Sequence, residues 1–518
     1  MTFKVQLFWK RNYKLTLESG FCYFYLVLFP SIDQHRMYYL LSSPSPESRF
    51  IEIECTFLEV ETEYLEIQLP AWRPGRYELQ HFAKNIQRFG VFNKNGEPLI
   101  YRKITKDRWR VETGAETEVV VRYNYYANVQ NAGSSYVNND FWYVNPVNLC
   151  VYADAFLNEP CTLQLAIPDT YQIACGLQQI APKTLLAKDY YELVDSPLMA
   201  SETLQHRTYQ VQNTTFYVWM QGNIKPNWEQ IVADFQKFST AQIAAMGSFP
   251  EPEYHFLNLI LPTPYYHGVE HRHSTMVVLG PDDEGDGLYL DLLGVSSHEL
   301  FHAWNIIRIR PKELLPYDFT KENYFTTCFV AEGVTTYYGD LFLRRSGVFN
   351  DEGYYRELQT YMKRHFENSR HAQQSLVESS WDLWLDGYEK GIPQRKVSVY
   401  HKGALAALIL DLTIRKIHGH KRSLDDVMYS LWQRFGIPFV GYTMEDYQAV
   451  VEEIAGEALP WYWNDCILSN LPLENHLNDA LAWVGLHMVS LGDGTVQLQE
   501  LESEPAVLER KKWLNGNI

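Results

Sequence analysis

Cysteine is scarce: seven in 518 residues, an odd number with no C-x-x-C pair and no paired spacing. That argues against a disulfide framework and sets the expectation of a reducing, cytoplasmic compartment. Positive charge is also short. Lys and Arg number 45 against 63 Asp and Glu, and the resulting net charge of −18 speaks against nucleic acid and anionic membrane surfaces as partners. Long apolar runs are missing too. Phe21 to Phe29, which follows Lys4, Lys10, Arg11 and Lys14, is too short to span a bilayer, and no small-residue cleavage site follows in Phe29-Pro30-Ser31-Ile32-Asp33. The chain holds no fixed-period repeat and no low-complexity tract, so solenoid readings fall away. What is present is core material: 46% hydrophobic residues and 15% aromatics, in a length that predicts two to four domains.

From about residue 48 to 220 the pattern has period two, with Ile51, Ile53, Cys55 and Phe57, then Leu65, Ile67 and Leu69, alternating with mostly polar neighbours. Turn-prone stretches interrupt the runs. Pro70-Ala71-Trp72-Arg73-Pro74-Gly75 is one, and Asn93-Lys94-Asn95-Gly96 carries the hairpin dipeptide Asn95-Gly96. After Asn227 the period becomes helical, with Trp228, Ile231, Val232, Phe235 and Phe238 on one face. Ser423-Leu424-Asp425-Asp426 and Thr443-Met444-Glu445-Asp446 read as capped helix starts, and Ala404 to Ile417 as a buried helix. The fold class expected is α+β and multidomain, an antiparallel β domain followed by a mainly helical one.

Chemistry concentrates in His298-Glu299-Leu300-Phe301-His302. In a helix the two histidines stand one turn apart on one face, close enough to share a tetrahedral ion. Glu299 then flanks the ion, where a carboxylate can take a proton from an attacking water without binding metal. A surface helix that happens to carry two histidines is the competing reading. Against it, Leu292, Leu293, Val295, Phe301, Trp304, Ile306 and Ile307 describe a mostly apolar helix, in which an unpaired ring nitrogen would be costly and coordination removes the cost. A third ligand must come from elsewhere. Glu332 is the lone carboxylate of the second apolar helix Phe329 to Tyr338, and the loop from Arg310-Pro311 to Glu322-Asn323 allows that helix to return antiparallel. Two His, one Glu and an open position match a catalytic zinc site, so one zinc ion is expected, although ligand type alone also admits another divalent ion.

The strings HELFHAWNIIRIRP (298–311), ENYFTTCFVAEGVTTYYGDL (322–341), QSLVESSWDLW (374–384) and VSVYHKGALAALILDL (397–412) resemble, in order, those of the glycyl aminopeptidases. These are thermolysin-like (gluzincin) zinc enzymes, distantly related to the alanyl and leucyl aminopeptidases, and the resemblance covers roughly residues 37 to 475. It implies that His298, His302 and Glu332 are zinc ligands and Glu299 the general base. It further implies that Tyr400 donates a hydrogen bond to the tetrahedral intermediate. Gly268-Val269-Glu270-His271-Arg272-His273-Ser274-Thr275 resembles the exopeptidase segment that runs along the substrate, in which Glu270 would pair with the free α-ammonium. His273 departs from the Asn expected there, and His267, His271 and His273 could also form a spurious second metal pocket.

The division expected is an extension over 1–36, a β domain over 37–220, a catalytic domain over 221–475 and a tail over 476–518. The family usually carries a PDZ domain at that end, and about 40 residues are too few for one, so the tail reads as vestigial or truncated, with one strand at Val496 to Gln499. The expected activity is a zinc-dependent aminopeptidase acting on peptides with a free N-terminus, preferring small residues such as Gly or Ala. A zinc endopeptidase on the same scaffold and a non-catalytic binding protein are the alternatives.

Overall fold

The computed structural model describes residues 35–282, 286–369, 372–389, 391–490, 496–501 and 503–516. The apolar run Phe21 to Phe29 and the basic residues before it lie outside the described residues.

Alternation acts as expected in the first half. Ile51, Ile53, Cys55 and Phe57 all point into the core from the strand Phe50–Leu58, which pairs antiparallel with Met37–Ser42 and Glu118–Tyr126 in a seven-stranded sheet. One pair departs from the antiparallel rule, Met37–Ser42 running parallel to Cys161–Ala166. A three-stranded sheet carrying Leu65 and Ile67 and a four-stranded sheet complete this half. Asn93 turns the predicted hairpin by accepting from Asn95 N and Glu97 N through its side chain, each at 3.0 Å.

The strands Gln205–Val211 and Thr214–Gln221, which alternation alone groups with the β half, belong to a second body. They join Glu253–Ile260, Ser274–Gly280 and Tyr265–Glu270 in a five-stranded sheet whose inner pairings are parallel. Glu253–Ile260 is buried over nearly its whole length, as befits a strand covered on both faces. Tyr265–Glu270 is the edge among the described residues, paired with Ser274–Gly280.

Helices follow and dominate the rest of the chain. Asn227 caps Trp228–Met246 by accepting from Gln230 N, and Phe235 and Phe238 of that helix pack on Phe256 of the sheet. Ser423 and Thr443 start Leu424–Leu431 and Met444–Ala455 with complete capping boxes. His401–His418 is buried on most of its surface. No described helix is long and apolar enough to cross a membrane.

In the tail the strand Val496–Glu500 pairs with Leu486–Ser490, and the helices Glu474–Trp483 and Glu504–Asn515 flank this pair. Leu477, Leu481 and Trp513 join the same core as the two histidine-bearing and carboxylate-bearing helices, and Trp513 Nε1 donates to Tyr337 Oη at 3.0 Å. The six described cysteines are free and buried.

Candidate metal centre

His302 ends the helix Asp286–His302 and His298 stands one turn before it, with ring centroids 4.7 Å apart and Nε2 atoms 3.0 Å apart. The helix stops there, earlier than the apolar pattern through Ile307 predicts. Its end has a cause: the His302 ring donates from Nδ1 to the carbonyl of Asn305 at 2.7 Å, which requires the chain to turn back over the ring. Ile306 takes φ 125° in that turn, a conformation costly for a β-branched side chain.

Glu332 arrives from a π-helical turn, Phe329–Val334, that runs into the helix Thr335–Arg345. The π turn leaves carbonyls without their usual partners, and Asn305 takes them up. Its side-chain amide donates to Val330 O at 2.8 Å and Thr335 Oγ1 at 3.0 Å. Asn305 therefore orients His302 through its main chain and the Glu332 turn through its side chain. Ser297 Oγ donates to Gly339 O at 2.6 Å, so the two segments run antiparallel as the intervening loop suggested.

Glu332 Oε2 is 3.3 Å from His302 Nε2 and 3.7 Å from His298 Nε2. These three separations bracket the edge of about 3.3 Å expected between ligand atoms held tetrahedrally at about 2.0–2.1 Å from one ion. With Nδ1–H committed to Asn305, Nε2 is the His302 nitrogen that faces this point. The electrostatics agree with a cation there. Burial alone would push Glu332 up, but His302 and His298 outweigh it and hold the carboxyl at about 2. Burial would likewise lower His302, yet Glu332, Glu270 and Glu299 carry it to about 10. The Glu332 carboxylate held negative beside two imidazole nitrogens at this spacing fits a divalent metal.

A second group shares His302. Ligating atoms of Glu270, Glu299 and His302 lie within 4.8 Å of one another, all buried. Burial pushes Glu299 well above the ordinary carboxylate range; His302 pulls it back, while Glu270 and Glu332 add to the rise. Its Oε2 has no hydrogen-bond partner. Gly268 of the edge strand faces it so closely that a Cβ there would sit 2.2 Å from Glu299 Oε1. Tyr400 is half-buried at the N-terminus of His401–His418, and burial, then Glu332, push its hydroxyl pKa up.

Five predicted site residues, His298, Glu299, His302, Glu332 and Glu270, therefore converge, with Tyr400 within electrostatic reach of Glu332 and Glu270, and the β half adds residues the sequence did not point to. Pro74-Gly75 crosses over Glu270, with a built Gly75 Cβ 2.8 Å from Glu270 Oε2. Tyr77 accepts from Cys328 Sγ at 3.5 Å, beside the Glu332 turn. Arg73 is fully buried nearby, and its Nε has no partner. The other histidines do not converge. His267 Nδ1 accepts from Ala132 N at 3.3 Å, and burial with the guanidiniums of Arg73 and Arg76 holds its pKa at about 3. His271 and His273 bond to Asp195 and Glu192, so the second metal pocket does not form.

Residues 38–202 match the peptidase M61 N-terminal domain and residues 291–406 match the M61 glycyl aminopeptidase, together more than half of the chain. No curated protein matches the sequence. Among solved structures, an aminopeptidase N family protein from Idiomarina loihiensis is similar at TM-score 0.82 and 27% identity, over 88% of this chain and 79% of that one. The M1 zinc metallopeptidase of Deinococcus radiodurans is similar at TM-score 0.52 and 14% identity, over 85% of this chain and 95% of that one, a likeness of fold. A variant of that enzyme carries the substrate Tyr-Ser-Ala, with TM-score 0.51, 14% identity and coverage of 82% and 92%. With its β half and its helical half each matched in order, this chain is a peptidase and belongs to the M61 glycyl aminopeptidase family.

Proposed function

We propose that the protein is a zinc-dependent aminopeptidase that removes small N-terminal residues, Gly or Ala, from peptides. The convergence of His298, His302 and Glu332 at tetrahedral spacing carries this reading. The zinc named for the Deinococcus radiodurans relative, and the peptide bound to its variant, support it.

His298, His302 and Glu332 would hold the ion. When bound, zinc supplies a Lewis acid for the scissile carbonyl and lowers the pKa of water. Glu299, buried and without a partner on Oε2, takes the proton of the attacking water and passes it to the leaving amine. Tyr400 donates its hydroxyl proton toward the carbonyl oxygen as charge grows there. Glu270 accepts from the substrate's α-ammonium, because it lies on the edge strand beside Glu299 and is otherwise a buried carboxylate with little compensation. Gly75 approaches Glu270 so closely that a Cβ on it would sit 2.8 Å from Oε2, so the main chain of the β half closes over this carboxylate.

Dialysis against a chelator should abolish hydrolysis of Gly- and Ala-p-nitroanilide, and one equivalent of zinc should restore it. Full activity in metal-free protein would contradict the proposal. Faster hydrolysis of leucyl than of glycyl and alanyl substrates would remove the small-residue preference alone.

A further inference from the structure

The hairpin tip after Glu270 is held from the other half of the molecule. His271, Arg272 and His273 join Tyr265–Glu270 to Ser274–Gly280, and His271 N closes the turn on Ser274 O at 2.9 Å. Two donors of this tip meet one carboxylate. Arg272 N donates to Asp195 Oδ2 at 3.0 Å, and His271 Nδ1 donates to Asp195 Oδ1 at 2.8 Å. His271 is buried, so a donor left without its acceptor here would carry a full desolvation cost.

Asp195 follows the short helix Tyr190–Val194 of the β half, whose Glu192 accepts from His273 Nε2 at 3.0 Å. Gly176, also of the β half, approaches so closely that a Cβ would sit 2.6 Å from His273 Cβ. Glu251 holds the far end of Arg272, accepting from Nε at 2.8 Å. These contacts also give His273 a structural task at the junction of the two halves. Of the residues that tie the tip down, Asp195 bonds the side chain next to Glu270 and the main chain two residues on.

We infer that Asp195 is a positioning residue for Glu270. By fixing the turn it sets where the Glu270 carboxylate meets an incoming ammonium. The inference rests on the proposed role of Glu270 and deepens it: selectivity for free N-termini is set partly from the β half. One carboxylate receiving two donors suits the task, since it locks a direction as well as a distance. A displacement on the order of 1 Å at such a site is enough to cost about ten- to hundred-fold in rate.

The test compares kcat/KM on Ala-p-nitroanilide with kcat/KM on its N-acetyl form, in zinc-loaded wild type, Glu270→Ala, Asp195→Ala and Asp195→Asn. Glu270→Ala should collapse the free-to-blocked ratio. Asp195→Ala should lower it by about tenfold through the free substrate alone, with zinc content unchanged. Asp195→Asn keeps an oxygen for Arg272 N and should recover most of the ratio. A merely structural role would slow both substrates together and leave the ratio at its wild-type value, and that result overturns the inference. If Asp195→Ala does not fold, His271→Phe removes one of the two donors: a lowered ratio supports the inference and an unchanged one overturns it. A collapsed ratio in Glu270→Ala beside an unchanged one in Asp195→Ala defeats the inference alone. An unchanged ratio in Glu270→Ala defeats the role of Glu270 and the inference together.

Discussion

Glu299 is the residue on which the proposed chemistry turns. Its carboxylate is buried beside His302, with Oε2 unpartnered, so Glu299→Gln removes the base and preserves the shape. We expect zinc content by atomic absorption to stay at the wild-type level and kcat to fall about 10³-fold. Near-normal turnover would end the assignment. Asn305 is the residue the sequence did not disclose. Its side chain holds the carbonyl of Val330 and the hydroxyl of Thr335, so Asn305→Ala should loosen the Glu332 turn while leaving the main-chain bond to His302. Competition with a chelator of known affinity should show zinc binding weakened about 10- to 100-fold. The contrast between these two residues is physical. His298, Glu299 and His302 are legible because helical spacing alone puts them together. Asn305, Tyr77 and Asp195 act through partners far along the chain, and no local pattern marks such contacts.

At the scale of elements, the Glu332 turn and the segment that leads from Val399 into His401–His418 nearly touch. A built Cβ on Gly333 would lie 2.5 Å from Gly403 Cα and 2.9 Å from Val399 O, both main-chain atoms that cannot yield as a flexible side chain would. Gly333→Ala should therefore destabilise the fold by ~2 kcal/mol, seen as a lower Tm, and should lower metal content in the same preparation. An unchanged Tm with full metal content would mean that the helices separate freely. The elements were mostly readable in advance. Ser423 and Thr443 each cap a helix as their side chains suggest, and the helical period after Asn227 is the helix Trp228–Met246. Two features were not. The histidine-bearing helix ends at His302 because the ring needs the Asn305 carbonyl, a tertiary demand that overrides an apolar pattern running to Ile307. The strands between Gln205 and Gln221 alternate like their predecessors, yet join the sheet of Glu253–Ile260 through Thr214–Gln221, since period two reports a half-buried strand and not which sheet it joins.

At the scale of the molecule, the β half forms part of the site. Trp72 Nε1 donates to Asp318 O at 2.7 Å and the ring meets Trp384 at 5.3 Å, which docks the Pro70 to Gly75 turn into the helical half. From there Gly75 lies over Glu270, and Asp195 grips the next turn. The sequence marked Pro70 to Gly75 only as a turn, because proline and glycine announce a change of direction and not its destination. An aminopeptidase needs such closure. A carboxylate buried at the end of the cleft bonds a free ammonium and is left unpaired by a blocked one. The direct measurement is kcat/KM of the zinc-loaded wild-type protein on free and N-acetylated alanyl substrates under one set of conditions. The account predicts that the free amine is favoured by about 10³-fold or more. Equal rates on the two would contradict it, leaving a metal-dependent hydrolase that does not read the N-terminus.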